Sequence, residues 1–245
     1  AEGDPWWQIA NKPSQSTISQ RRSDTLARNG IRGLVLDGES EALAMSSFLS
    51  SDVFFPHLSG LQPDLYRCFM EVVWRHSSTR GKAALIHLDT HFTEERAGRL
   101  RAATYPRLRR HWDFINELSL FEIQHQKRYG VNVYGAPLDE VRFMTASSLY
   151  HPGTVIASLK HDGSGVEPGF KDENDNWDLR PHQSRITYVD SETLGAWHSS
   201  LENEGTPTLE TRMVYAVNRS AASVFQKLGL LRVSVTPRFR PLLRP

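Results

Sequence analysis

A chain of 245 residues with 39% apolar and 23% charged residues has the make-up of an ordinary globular protein, long enough for one or two domains with a sizeable core. Its 29 basic and 28 acidic residues leave a net charge of only +1, so bulk charge carries no case for a nucleic-acid partner. The single Cys68 excludes an intrachain disulfide and reads as a small buried hydrophobe in a helical segment. No apolar run approaches membrane-spanning length, and the expected location is a reducing cytoplasm.

In chain order, Asp4-Pro5-Trp6-Trp7 comes first and sets a carboxylate and a proline beside two indoles. Residues 8–28 are polar, rich in Ser, Gln and Arg, and contain Pro13; the expectation is a mobile loop with a helix over 23–29. Arg21 and Arg22 could touch a phosphate, although exposed charges are more often merely solvated. Residues 38–50 carry Leu43, Met45, Phe48 and Leu49 at helical spacing. The strongest helical pattern spans 61–76, with Pro63 in the first turn and Leu65, Phe69, Val72 and Val73 on a face expected to be core.

After Gly81 the apolar run Ala83-Ala84-Leu85-Ile86 predicts a buried strand that stops at His87-Leu88-Asp89-Thr90-His91. Thr93 then suits a helix N-cap, followed by Glu94 and Glu95 at the positive end of the helix dipole. Ala97, Leu100, Ala103 and Leu108 keep helical spacing, with Arg107, Arg109 and Arg110 among the arginines between and after them, and Pro106 bends or ends the helix. Residues 112–121 predict a second strand and 129–134 a third. Strand, helix, strand, short loop, strand is the grammar of an α/β sheet in which ligands gather at the carboxyl ends of parallel strands. The loop before Tyr129 is too short for a parallel crossover, so the third strand is expected to run antiparallel.

Beyond Gly135, residues 141–144 and 147–150 suggest short strands, 154–161 a helix, and 164–181 a long surface loop punctuated by Gly and Pro. Helices over 191–201 and 220–228 follow, with a strand over 213–217 before the second. From Gly229 the tail holds Arg232, Arg238, Arg240 and Arg244, three prolines and no acid.

The segment GKAALIHLDTHFTEERAGRLRAATYPRLRRHWDFINELSLFEIQHQKRYGVNVYG resembles the second half of the catalytic domain of the large adenine-specific (N-6) DNA methyltransferases of restriction-modification and phage-defence systems, the BREX or PglX-like type. LQPDLYRCFMEVVWRHSSTRGK before it, and the stretches from VRFMTASSLYHPGTV to TRMVYAVNRSAA after it, resemble the flanking parts of that family, so the likeness runs co-linearly over about residues 22–228. The resemblance implies a partial Rossmann-like α/β sheet with mixed strands over 1–135, the C-terminal half of the catalytic domain, in which the third strand lies between the other two. An α+β extension over 136–245 then leads towards the target-recognition region. It also implies S-adenosylmethionine as methyl donor and double-stranded DNA as partner.

On this resemblance Asp4-Pro5-Trp6-Trp7 is similar to the catalytic tetrapeptide Asn/Asp/Ser-Pro-Pro-aromatic, with Trp6 where the family has proline. An adenine must leave the duplex before its amino group can be methylated. Asp4 and the Pro5 carbonyl would hold the amino hydrogens, and Trp7 would stack on the base. The alternative is a pair of indoles packed against a core edge. His87, Asp89, His91 and His125 would lie on the substrate side, and Arg21, Arg22, Arg107, Arg109 and Arg110 would meet DNA phosphates. The family's Gly-containing donor loop and its acidic partner precede the tetrapeptide, and Gly30-Ile31-Arg32-Gly33 follows no strand pattern, so the chain reads as a fragment or truncated relative. Two rivals remain. One is a remnant that binds DNA or a partner without catalysis. The other is a metal-dependent hydrolase built on His87-x-Asp89-x-His91, since alternate residues of a strand share a face.

Overall fold

The structure is a computed structural model that describes residues 5–9 and 12–232. A five-stranded mixed sheet forms its centre, built from β1 (Lys82–Leu88), β2 (Leu108–Ile115), β3 (Arg128–Gly135), β4 (Arg142–Leu149) and β5 (Thr187–Asp190) in the order β1-β3-β2-β4-β5. β3 is antiparallel to both neighbours, β4 is parallel to β2, and β5 runs antiparallel to β4. The reversal of the third strand is the one expected from the short loop before Tyr129, and its place between the other two is the one the resemblance implied. The sheet continues across residue 135, because β4 and β5 pair into it.

Its two faces differ. On the inner face Leu85, Asn132, His111 and Thr145 meet across the strands, flanked by Tyr134 and Phe143. Here the sheet packs against α4 (Leu65–His76), α5 (Thr90–Thr93), α6 (Gly98–Thr104) and α8 (Ser191–Leu201), with Met70, Phe92, Leu100, Leu194 and Trp197 in one cluster. On the outer face Trp112, Phe114, Tyr129 and Leu149 pack with Val155 of α7 (Pro152–Ser158) and Ile186. Towards β1 this outer face opens: Ile86 is 59% exposed.

Several expectations change at element level. β1 is an edge strand, and every second side chain is exposed from Lys82 to Leu88, so it is not buried on both faces. The helix expected after Thr93 is broken. Thr93 ends α5 rather than capping a helix, a 3-10 turn follows at Glu95–Ala97, and α6 stops at Thr104. β2 therefore begins at Leu108 and includes Arg109 and Arg110, and it ends at Ile115 because Asn116 turns the chain. The Asn116 amide donates to the carbonyls of Phe121 and Ile123, while its oxygen accepts from the Phe121 N–H, holding the following residues as a loop.

α4 is capped by Asp64, whose side chain accepts from the Tyr66 N–H. It presents a different face from the one expected: Leu65 and Phe69 are exposed, while Arg67, Cys68, Met70 and Glu71 are buried. Arg67 pairs with Glu94, and Glu71 accepts from the His57 N–H, so distant partners make these charged residues interior ones. The expected loop over 8–28 holds α1 (Trp6–Ile9) and α2 (Gln15–Leu26), the latter capped by Ser14, and α3 (Ile31–Leu49) starts seven residues earlier than its pattern suggested. The two short strands over 141–150 are one strand, β4, bent at Ser148, which has φ of 56°. α7 closes three residues earlier than expected, at Ser158. Residues 213–217 are not a strand; Met213, Val214 and Val217 are buried in chain without regular structure, and the Met213 N–H donates to the Phe92 carbonyl. α8 matches its expected bounds, α9 (Arg219–Arg232) covers the last expected helix, and the tail beyond 232 lies outside the described residues.

Candidate functional site

Strand alternation brings the chemistry to the inner face. β1 and β2 run in the same direction with β3 reversed between them, so the carboxyl end of β1 meets the start of β3, with Leu88 opposite Tyr129. His87 lies here with its Nδ1 at 2.9 Å from the Leu88 carbonyl and its Nε2 at 2.9 Å from Tyr134 Oη and 3.2 Å from Asn132 Nδ2. A carbonyl only accepts, so Nδ1 carries the proton and Nε2 accepts from the tyrosine and the amide. Burial pushes the His87 pKa down, partly offset by the Leu88 bond, and keeps the ring neutral. Tyr66 stacks on the His87 ring at 5.3 Å between centroids.

Asp89 forms the next part. Its Oδ2 lies 2.9 Å from His111 Nε2, and His111 Nδ1 lies 2.9 Å from Thr145 Oγ1. A carboxylate accepts, which assigns the His111 proton to Nε2 and makes the threonine hydroxyl the donor to Nδ1. Asp89, His111 and Thr145 are all buried. Gly130 makes room for this carboxylate, since a Cβ there would fall on Asp89 Oδ1 and Asn132 Nδ2. Beside it, the fully buried Asp113 accepts from Arg128 at both oxygens and from the Ser148 N–H at 3.0 Å. Burial opposes the Arg128 charge, but the Asp113 bond outweighs it and raises the pKa above the usual value.

A cleft of about 290 Å³ opens at this end of the sheet, lined by Leu88, Asp89, Thr90, Thr93, Gln126, Lys127, Arg128 and Tyr215. The end of β1 and the start of β3 thus share one cavity. The guanidinium of Arg128 sits 4.6 Å from the centre of the Tyr215 ring and closes one wall.

Among the residues expected from sequence, His87 and Asp89 belong to this network. His91 lies behind it, wholly buried against Phe92, His87 and Tyr66 with no partner for either ring nitrogen. Burial, then the nearby His87 and Arg67, hold its pKa well below the usual value. His125 is on the surface, 3.2 Å from Glu117. Pro5, Trp6 and Trp7 stand at a different place. Trp6 and Trp7 pack edge to face, and Trp7 Nε1 donates to Thr25 Oγ1. Trp7 lines a cavity of about 540 Å³ with Ile18, Arg22, Leu34 and Val35 of α2 and α3, and no residue of the β1 network lines it. Asp4 lies outside the described residues.

The arginines divide similarly. Arg21 lies over the Trp6 ring at 5.4 Å. Arg107 donates to the Ala103 carbonyl and covers Trp74, and Arg109 donates to the carbonyls of Pro106, Leu108 and Ala136, so both brace the fold. Arg110 is exposed on the outer face. Sequence reasoning missed His111, Asp113, Asn132, Tyr134 and Tyr215. The first four alternate along β2 and β3; His111 fell before the expected start of the second strand, while Asp113, Asn132 and Tyr134 lay on expected strands whose inward face was not singled out.

The spacing of His87, Asp89 and His91 does not make a metal centre. His87 Nε2 faces β3, Asp89 Oδ2 faces β2, and among the described residues no group of three or more His, Cys, Asp or Glu side chains is arranged to hold a metal ion. Nor do the described residues fit S-adenosylmethionine: Gly30 caps α3 after a helix and a turn, and no described strand precedes β1. Among the described residues, no helix is long and apolar enough to cross a membrane. Comparison with protein-family models, curated proteins and solved structures finds no match.

Proposed function

We propose that the chain carries the C-terminal half of a DNA adenine N-6 methyltransferase domain and acts on a flipped adenine of double-stranded DNA in a restriction or phage-defence system. The sheet order β1-β3-β2, a reversed strand between two parallel ones, is the observation that carries this reading. It is the arrangement expected at the C-terminal end of the methyltransferase version of the Rossmann sheet, and it falls on the segment with the strongest resemblance. Asp4 and the Pro5 carbonyl would hold the adenine amino group, and Trp7 would stack on the ring.

The test uses the protein expressed from its complete reading frame, with radiolabelled S-adenosylmethionine and unmethylated duplex DNA. Label recovered in N6-methyldeoxyadenosine, and abolished by Asp4→Ala, is the expected result. Trp7→Ala should weaken substrate use by the roughly 1–3 kcal/mol of a base-aromatic stack. Restoring proline with Trp6→Pro should raise turnover if Trp6 loosens the tetrapeptide. Absence of methylated adenine in both forms would leave a non-catalytic remnant. Residues 1–245 alone should show no binding of the donor by calorimetry, and micromolar affinity would contradict that.

A further inference from the structure

Asp89 Oδ1 and Tyr215 Oη are buried atoms without a hydrogen-bond partner, and both residues line the cleft at the end of β1. Buried polar atoms in folded proteins are nearly always paired, so two orphans in one cleft mark a place where partners arrive with a ligand. Their chemistry is complementary. Asp89 is held from behind by the His111 N–H and offers an acceptor. Tyr215 offers a hydroxyl that burial, with Asp89 and Asp113 nearby, keeps protonated. Arg128 beside it is already matched by Asp113. The cleft, at about 290 Å³, lies just below the range of roughly 300–1,000 Å³ for drug-sized ligands and suits a single ring system.

We propose that this cleft is a subsite for a nucleobase edge that sets an amino group beside a bare ring nitrogen, with Asp89 accepting from the amino group and Tyr215 donating to the ring nitrogen. Adenine and cytosine have that edge; hypoxanthine and uracil present the reverse order. The cleft is separate from the Trp7 cavity, and the tetrapeptide already holds the amino group of the target adenine in the proposed reaction. The subsite therefore takes another base of the recognition site. That last assignment rests on the methyltransferase reading; the edge preference rests on the cleft itself.

The experiment is a nucleoside titration of this chain followed by amide NMR, with adenosine, cytidine, inosine and uridine as probes. Adenosine and cytidine should shift the amides of residues 88–93 and 126–128, and inosine and uridine should bind about tenfold more weakly for want of the matched pair. Tyr215→Phe should cut adenosine binding several-fold while the remaining spectrum stays unchanged. Asp89→Asn gives the sharper result. His111 Nε2 keeps the Asn oxygen as its acceptor, which turns the Asn amide N–H into the cleft, and the preference should swing towards inosine and uridine. Saturable shifts equal for all four nucleosides, no shifts at the solubility limit of adenosine, or an unaltered preference in Asp89→Asn would each overturn the proposal. Adenosine selectivity in a protein that transfers no methyl group would sustain the subsite and overturn the functional reading. Methyl transfer without that selectivity would do the opposite.

Discussion

The two faces of the sheet are built from the same strands by opposite means. On the inner face most polar side chains of β2, β3 and the end of β1 are buried and tied to particular neighbours: His87 to Tyr134 and Asn132, Asp89 to His111, Asp113 to Arg128. On the outer face the side chains are mostly apolar, and cover is incomplete. Ile86 and Tyr188 stay mainly exposed, and Val131, Val133 and Met144 are only partly buried. Buried polar groups are costly unless their partners are fixed in place, so the inner face tolerates few alternatives. Apolar contacts are less particular, and half-covered ones contribute less. Change should therefore be punished on one face and largely forgiven on the other.

The largest contrast is expected between Leu100→Ala and Ile86→Ala. Leu100 is fully buried against the inner face, so its truncation should lower unfolding stability by about 2–5 kcal/mol in urea titrations. Ile86→Ala, on the open outer side, should cost less than about 1 kcal/mol. Equal losses would erase the distinction between the faces.

Next comes Asp113→Ala, which strips Arg128 and the Ser148 N–H of their shared acceptor. A loss of about 3 kcal/mol is expected in the same titration, since the cost is that of leaving paired groups without a partner. A neutral substitution would mean that the network contributes nothing to stability. Gly130→Ala should cost about 1–3 kcal/mol, because the added methyl falls on Asp89 and Asn132 and forces one of them to move. Gly38→Ala, with nothing near the added atom inside α3, should be neutral or slightly stabilising.

The smallest effect concerns pH. The folded pKa values of His87 and His91 are depressed, mainly by burial, whereas an unfolded imidazole titrates near pH 6.5. Below about pH 6.5 the unfolded chain binds protons that the folded chain refuses, so stability should fall as pH drops and be full above that value. His91→Phe removes one of these groups and keeps a ring among Tyr66, His87 and Phe92. The variant should lose less stability between about pH 7.5 and 5 than the parent does. Identical slopes would contradict a neutral buried His91.

The inner face was only half legible in the sequence. The antiparallel direction of the third strand followed from one physical limit, the shortness of the loop before Tyr129, and that limit held, whereas its place between the other two was expected only from the resemblance. α8 was equally plain, since Asp190 caps its start and the apolar spacing is helical. The face of α4 was misread because periodicity assigns apolar residues to the core. Here Arg67 and Glu71 point inward to partners 27 and 14 residues away, separations that no local pattern encodes. His111 was hidden for a related reason, whereas Asp113 lay on the expected strand with nothing local to mark its partner Arg128. Arg109 and Arg110 extend an arginine pattern across a true break, and only the pairing with β3 reveals the strand beneath it. Tyr215 reaches the cleft from chain without regular structure and with no period at all.

The functional reading is tested most directly by single-molecule sequencing of genomic DNA from cells that express the complete reading frame, compared with the same cells carrying Asp4→Ala. N6-methyladenine at one recurring sequence motif, present with the parent protein and absent with the variant, is the predicted result. DNA without N6-methyladenine in either culture, or the same modified motif in both, would contradict it.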